Sequence, residues 1–235
     1  MKTYVINEMF YSPQGEGVRA GIMHVFVRFA GCNMECREEV GPKSPGGFDC
    51  DTEFSSGRKM TLDEINEEAF TLMERAGAHA LSRIDNRWML LTGGEPGLQV
   101  DKEFCDYMHV KGWQLAIETN GSIRLPRDPD MTVDKGIDSI TFYLLDWITV
   151  SPKVAEHAIR QLVAHEVKYV RAHGQALPKT NVNAMVHIIS PAFDGLTINN
   201  DPQLQERNLK WCLQLIAANP KWRISVQQHK LWRVR

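Results

Sequence analysis

Three cysteines, Cys32, Cys36 and Cys50, are the residues of this chain best suited to chemistry. Thiolates bind soft metals and iron–sulfur clusters. Three of them can hold a metal, and three rather than four would leave one iron of a four-iron cluster open to a substrate. They follow an apolar run, Phe26-Val27-Arg28-Phe29, that ends at Ala30-Gly31. Cysteine also serves as a small buried hydrophobe, and the thirteen residues from Arg37 to Asp49 make this spacing looser than a compact cysteine motif.

Other residues suited to ligand binding stand at the ends of apolar runs. In Gln14-Gly15-Glu16-Gly17 two glycines flank a carboxylate, after Tyr11-Ser12-Pro13; this is a surface turn or a loop that closes on a ligand. Arg28 lies inside a strand pattern, where its planar fork suits an anionic group or a solvated face. The run Trp88–Leu91 ends in Thr92-Gly93-Gly94-Glu95-Pro96, and glycines at a strand's C-terminal end let backbone approach a ligand. Glu118 closes the next run and can accept from an amine or hydroxyl, or cap a turn. Ser151-Pro152-Lys153 follow the run 146–150.

The elements that must position these residues are legible from period and punctuation. Strands are predicted over 4–10, 23–29, 88–91, 113–118, 146–150, 167–170, 184–189 and 223–227. Thr61-Leu62-Asp63-Glu64 is a capping box that starts a helix running to about Ala80. Further helices are expected over 104–109, over 153–165, and from Asp201-Pro202 to near Asn219. On the last of these Leu209, Cys212, Leu213 and Ile216 share an apolar face, so Cys212 reads as core, as does Cys105. Gly41-Pro42, Ser44-Pro45 and Gly46-Gly47 make 37–49 a loop. Strands alternating with helices give an α/β fold with a mainly parallel, helix-covered sheet, open to closure as a barrel. Cys32, Thr92, Glu118 and Ser151 all fall just past strand ends, on the rim where such folds carry their chemistry.

Composition narrows the class. A net charge of −2 without a basic run argues against direct nucleic-acid contact. No apolar run reaches membrane-spanning length. An odd count of five cysteines and no leader pattern fit a reduced, cytoplasmic setting better than a disulfide framework.

With these residues assembled, the chain resembles the radical S-adenosylmethionine (SAM) enzymes, and among them the 7-carboxy-7-deazaguanine synthase family. The resemblance runs through Glu8-Met9-Phe10, Gln14 to Gly17, Arg28 to Cys32, Cys50-Asp51-Thr52, Thr92 to Pro96, Glu118 to Gly121, Thr149 to Lys153, Trp222 to Ser225 and Gln228-His229-Lys230. It implies one domain over 1–235, a partial, modified TIM-type barrel with an insertion at about 37–49. It implies ring contraction of 6-carboxytetrahydropterin to 7-carboxy-7-deazaguanine with loss of ammonia, towards queuosine-type bases. A [4Fe-4S] cluster reduces SAM, the deoxyadenosyl radical takes hydrogen from C6 of the pterin, and Mg2+ assists. Carried over by position, Cys32, Cys36 and Cys50 hold the cluster. Asp51, Gly93, Gly94, Glu118, Ser151 and Lys153 contact SAM, and Thr52 binds Mg2+, a hard cation suited to oxygen. Pro13, Gln14, Gly15, Glu16, Arg28, Thr92 and His229 hold the pterin. A flavodoxin- or ferredoxin-like electron donor and a homodimer are further implications.

The chain departs from the family pattern in places. The common form has three residues between its first two cysteines and two before the third; here thirteen separate Cys36 from Cys50. Relatives with a long insertion put the second cysteine three positions before the third, which is Gly47 here, so Cys36 is taken as the second ligand. Asp49 stands where an aromatic residue is usual, with Phe48 one step earlier, and the chain ends on Arg235 instead of proline. Two rivals remain at this point. One is another radical SAM reaction, such as glycyl-radical activation of a protein. The other is a non-catalytic cluster or zinc module, with His24 or His229 as a fourth ligand.

Overall fold

The computed structural model describes residues 2–37, 39, 41, 50, 52–78, 87–128, 143–192 and 202–234. Asp51, Gly47 and most of the 37–49 insertion lie outside these residues. The strands are β1 (Tyr4–Pro13), β2 (Met23–Phe29), β3 (Arg58–Met60), β4 (Trp88–Gly93), β5 (Gln114–Thr119), β6 (Trp147–Val150), β7 (Val163–Arg171), β8 (Asn183–Pro191) and β9 (Trp222–Ile224). They form one sheet in the order β3-β1-β2-β4-β5-β6-β7-β8-β9. β1 is antiparallel to both neighbours, and from β2 to β9 every pairing is parallel.

Seven parallel strands in sequential order, with no reversal, describe a barrel wall left open. Right-handed crossovers put every connection of such a sheet on one side. Accordingly α1 (Leu62–Arg75), α2 (Lys102–Val110) and α3 (Pro202–Ala218) share the main core with one face of the sheet. Alternation along the strands fixes what faces the helices: Val25, Val27 and Phe29 of β2, Met89 and Leu91 of β4, Leu115 and Ile117 of β5. Phe26, Leu90 and Ala116 sit in a second, smaller cluster with Phe10, Trp88 and Trp147. Arg28, Thr92 and Glu118 share their parity and so extend that inner face toward the strand C-termini.

The N-terminal end of the inner face is plugged. The Arg19 guanidinium lies 3.4 Å from the Trp88 ring centroid and 5.6 Å from that of Trp147. It donates to Nε2 of His24, whose Nδ1 donates to the Ile22 carbonyl at 2.7 Å. Both ring nitrogens are thus engaged, far from the cysteines along β2, which removes His24 as a metal ligand. Burial and then Arg19 push its pKa down to about 4.

The capping box forms as expected, with Thr61 and Glu64 bonding reciprocally. The helix stops at Arg75, before a positive-φ Gly77, instead of reaching Ala80. The expected helix over 153–165 is absent: one 3-10 turn spans Glu156–Ala158, and β7 begins at Val163. Arg160 and Gln161 both give their amides to the Gly121 carbonyl, and the buried Gln161 side chain ties Leu125 to Val163. These tertiary bonds take the groups that a helix would use, overriding a helical composition. Leu213 is 45% exposed; Asn208 and Cys212 hold the buried face of α3 instead. The last strand ends at Ile224, and a short helix, α4 (Gln228–Trp232), follows.

Candidate active site

The cysteine loop is built onto the end of β4. Gly94 donates to the Phe29 carbonyl and Glu95 to the Gly31 carbonyl, at 3.0 and 2.9 Å. A Cβ on Gly94 would stand 2.6 Å from the Gly31 carbonyl carbon and 3.2 Å from the Cys32 nitrogen. Gly93, at φ 116°, lies as tightly against Phe29. The two glycines therefore admit the backbone that leads into Cys32, a packing role beside the ligand contact expected of them from sequence. Glu95 is fully buried, with its carboxylate taken by Gly97, Thr119 and Asn120.

The insertion closes at its base, where the Cys50 amide donates to the Cys36 carbonyl at 3.2 Å. That bond returns Cys36 to the neighbourhood of Cys50 despite the separation in sequence. Cys32 and Cys36 are half-buried and Cys50 exposed. Burial raises the first two thiols above their ordinary value; Lys153 opposes this at Cys36, and nearby thiols add to it. The Met34 amide and the Asn120 side chain reach toward Sγ of Cys32, at 3.4 and 4.0 Å. Soft donors with amide donors behind them are the chemistry that an iron–sulfur cluster needs. Among the described residues no three His, Cys, Asp or Glu side chains converge as a metal site.

Beside the cysteines runs a connected polar chain on the inner face. Arg28 pairs with Glu8 at 2.9 Å and reaches Oγ1 of Thr52 at 3.5 Å. Thr92 donates to Glu118 at 3.3 Å, and Gln14 donates to the other oxygen of Glu118 at 2.9 Å. The Gln14 Oε1 takes the amides of Gly15 and Glu16, shaping the loop that follows Pro13. Thr92 and Glu118 lie inside their strands, one position before the end, and not past it.

This loop is pinned largely by two residues that the sequence analysis leaves aside, Glu166 and Lys168. Glu16 forms a buried ion pair with Lys168 of β7. Burial alone would raise the Glu16 carboxyl, but the ammonium overrides this and holds it well below the usual range. Glu166, on the same strand, takes the Val18 amide at 3.0 Å and the Thr149 hydroxyl at 2.9 Å. Gly17, at φ 71°, has no room for a side chain beside that carboxylate. Ser225 takes the Gly17 amide at 2.8 Å. The available signal was Glu166 and Lys168 themselves, charges inside a strand that a parallel sheet should bury.

His229 is carried on α4 to the same loop: the Gln228 amide bonds the Gly15 carbonyl at 2.9 Å, and the His229 ring fills the space where a Gly15 side chain would stand. Ser151 and Lys153 are held by amide bonds to Thr119 and Asn120. Of the substrate positions expected from sequence, Arg28 and Thr92 thus lie on the inner face, Pro13 ends β1, Gln14, Gly15 and Glu16 form the loop after it, and His229 sits on α4 against that loop.

The chain matches no protein-family profile. It is 34% identical to the 7-carboxy-7-deazaguanine synthase of Bradyrhizobium diazoefficiens, with 97% of each chain covered. The enzymes of that name from Caulobacter vibrioides and Nitratidesulfovibrio vulgaris are 34% and 32% identical, again over 97% of both chains. In fold it is similar to the crystal structure of QueE from Escherichia coli, with a TM-score of 0.58, 21% identity, and 97% and 95% of the two chains covered.

Proposed function

The chain belongs to the 7-carboxy-7-deazaguanine synthase family, and from that premise we propose how its residues divide the work of converting 6-carboxytetrahydropterin to 7-carboxy-7-deazaguanine and ammonia. The observation that carries the reading is the polar chain Gln14–Glu118–Thr92, with Arg28 and Thr52 beside it, on the face next to the three cysteines.

Cys32, Cys36 and Cys50 are the residues that would hold a [4Fe-4S] cluster. Bound together, cluster and SAM supply a carbon-centred radical able to take a hydrogen atom, which no side chain provides. Gly93, Gly94, Glu118, Ser151, Lys153 and Asp51 are assigned to SAM, and the Thr52 hydroxyl to Mg2+. Arg28, oriented by Glu8, presents its remaining guanidinium donors to the pterin carboxylate. Thr92, Pro13 and the backbone of Gln14, Gly15 and Glu16 line the ring, and His229 closes the loop from the C-terminal side. The Glu16 carboxylate is held by Lys168, so this residue serves through its backbone and its fixed position.

A flavodoxin- or ferredoxin-like electron donor, a homodimer and a cytoplasmic setting complete the proposal. Among the described residues no helix is long and apolar enough to cross a membrane. The test is anaerobic reconstitution with iron and sulfide, then reductant, SAM, Mg2+ and the pterin, with products followed by mass spectrometry. 7-Carboxy-7-deazaguanine formed by the native chain and lost in Cys36→Ala supports both the reaction and the second ligand. Product formed equally well by Cys36→Ala removes that ligand, and 5′-deoxyadenosine without the deazaguanine removes the substrate.

A further inference from the structure

Among the described residues three buried side-chain polar atoms lack a hydrogen-bond partner: Nε of Arg87, Nε1 of Trp147 and Oε1 of Gln227. An unpaired buried acceptor costs free energy, so a native one needs a reason. Arg87 lies over the Phe70 and Trp113 rings, and Trp147 stacks on His165, both away from the cysteines. Gln227 alone belongs to the loop site. It is the residue before α4, one position from the amide that bonds Gly15 and two from His229.

The orientation of its amide is determined. The Gln227 side chain bonds the Glu16 carboxylate, which Lys168 keeps ionised and which can only accept. The NH2 group must therefore face Glu16, and the carbonyl oxygen must face away from it. Lys168 orients Glu16, Glu16 orients Gln227, and the result is a fixed, dry acceptor beside the 14–16 backbone. A fixed acceptor without a partner is what a site looks like when the missing donor comes from the ligand.

Resting on the reading above, we propose that Oε1 of Gln227 accepts a hydrogen bond from the 2-amino group of the pterin and so selects aminated pterins over their 2-oxo counterparts. The 2-amino group is the ring substituent that only donates, and it lies at the opposite end of the bicycle from the 6-carboxylate. Arg28, assigned to that carboxylate, is on β2, whereas Gln227 follows β9 at the far edge of the parallel strands; the 14–18 loop spans the interval between them. A site built to bond a polar substituent rejects the analogue that lacks it, because its own buried group is then left unpaired.

The test uses Gln227→Met, of similar volume without the amide, and two ligands: 6-carboxytetrahydropterin and its 2-oxo counterpart. Binding is measured calorimetrically on cluster-free protein, and turnover on reconstituted enzyme. The expected result is a native preference for the aminated ligand of about tenfold or more. Gln227→Met abolishes that preference by losing the aminated ligand, raises KM for the pterin and leaves KM for SAM unchanged. The ligand pair on the native protein is decisive even if the variant fails to fold. Native enzyme that converts the pterin without discriminating, or Gln227→Met that still discriminates, overturns this inference alone. Native protein that neither binds nor converts the pterin overturns the functional reading and this inference together.

Discussion

Replacing Gly94 by alanine separates two uses of the Thr92-Gly93-Gly94 turn. If the glycine exists to admit the chain before Cys32, a methyl group there must displace backbone. The added carbon would sit 2.6 Å from the Gly31 carbonyl carbon, against an ordinary contact of about 3.5–4.0 Å, so a shift on the order of 1 Å is required. No flexible side chain can absorb it, because both partners are main chain and are tied by the Gly94–Phe29 and Glu95–Gly31 bonds. Overpacking of this kind costs about 1–3 kcal/mol, and losing one of those bonds adds about 1 kcal/mol. For a chain of this length 1 kcal/mol moves the melting temperature by about 2–4 °C, so a fall of roughly 5–15 °C is expected. Because the displaced residue precedes Cys32, iron retained after anaerobic reconstitution should fall as well. Melting by circular dichroism and iron per chain by colorimetry are the two assays. Unchanged melting and iron content, with weaker SAM binding, would refute the packing reasoning and return the turn to the ligand.

Acid should destabilise the fold through His24. Its pKa is lowered in the folded chain from 6.5 to about 4, so below pH 6.5 the unfolded chain gains a proton that the folded one refuses. Stability is intact above that pH and declines as pH falls toward 4, by about 2 kcal/mol at pH 5. Urea unfolding of the cluster-free protein at pH 7 and 5 measures this, and His187, lowered by burial and Lys221, acts in the same direction. Glu8→Gln should raise KM for the pterin by about two- to fivefold with kcat unchanged, the scale of a partly exposed ion pair that only orients Arg28. Arg28→Lys should cost more, since it removes the planar fork; steady-state kinetics on both variants decide the order.

Much of the scaffold could be read locally. The capping box at Thr61, the strands that carry Thr92 and Glu118 and the first-turn Pro202 announce themselves by short-range chemistry. The cysteines and the Gln14–Glu16 loop were visible as residue types in suggestive places. What escaped depends on distant partners. Residues 153–165 have helical composition, yet Gly121 and Gln161 draw them into a turn and a strand. Glu166 and Lys168 become intelligible only when the loop from 14 to 18 crosses the sheet to meet them. The unpaired oxygen of Gln227 has no sequence signature, because it is defined by what does not surround it.

The central claim is that the pterin sits on the inner face and gives up a hydrogen atom there. The most direct measurement offers reconstituted enzyme 6-carboxytetrahydropterin deuterated at C6 and weighs the 5′-deoxyadenosine released. The account predicts one deuterium in that product, together with 7-carboxy-7-deazaguanine. 5′-Deoxyadenosine free of deuterium, formed at the same rate with or without the pterin, would contradict it.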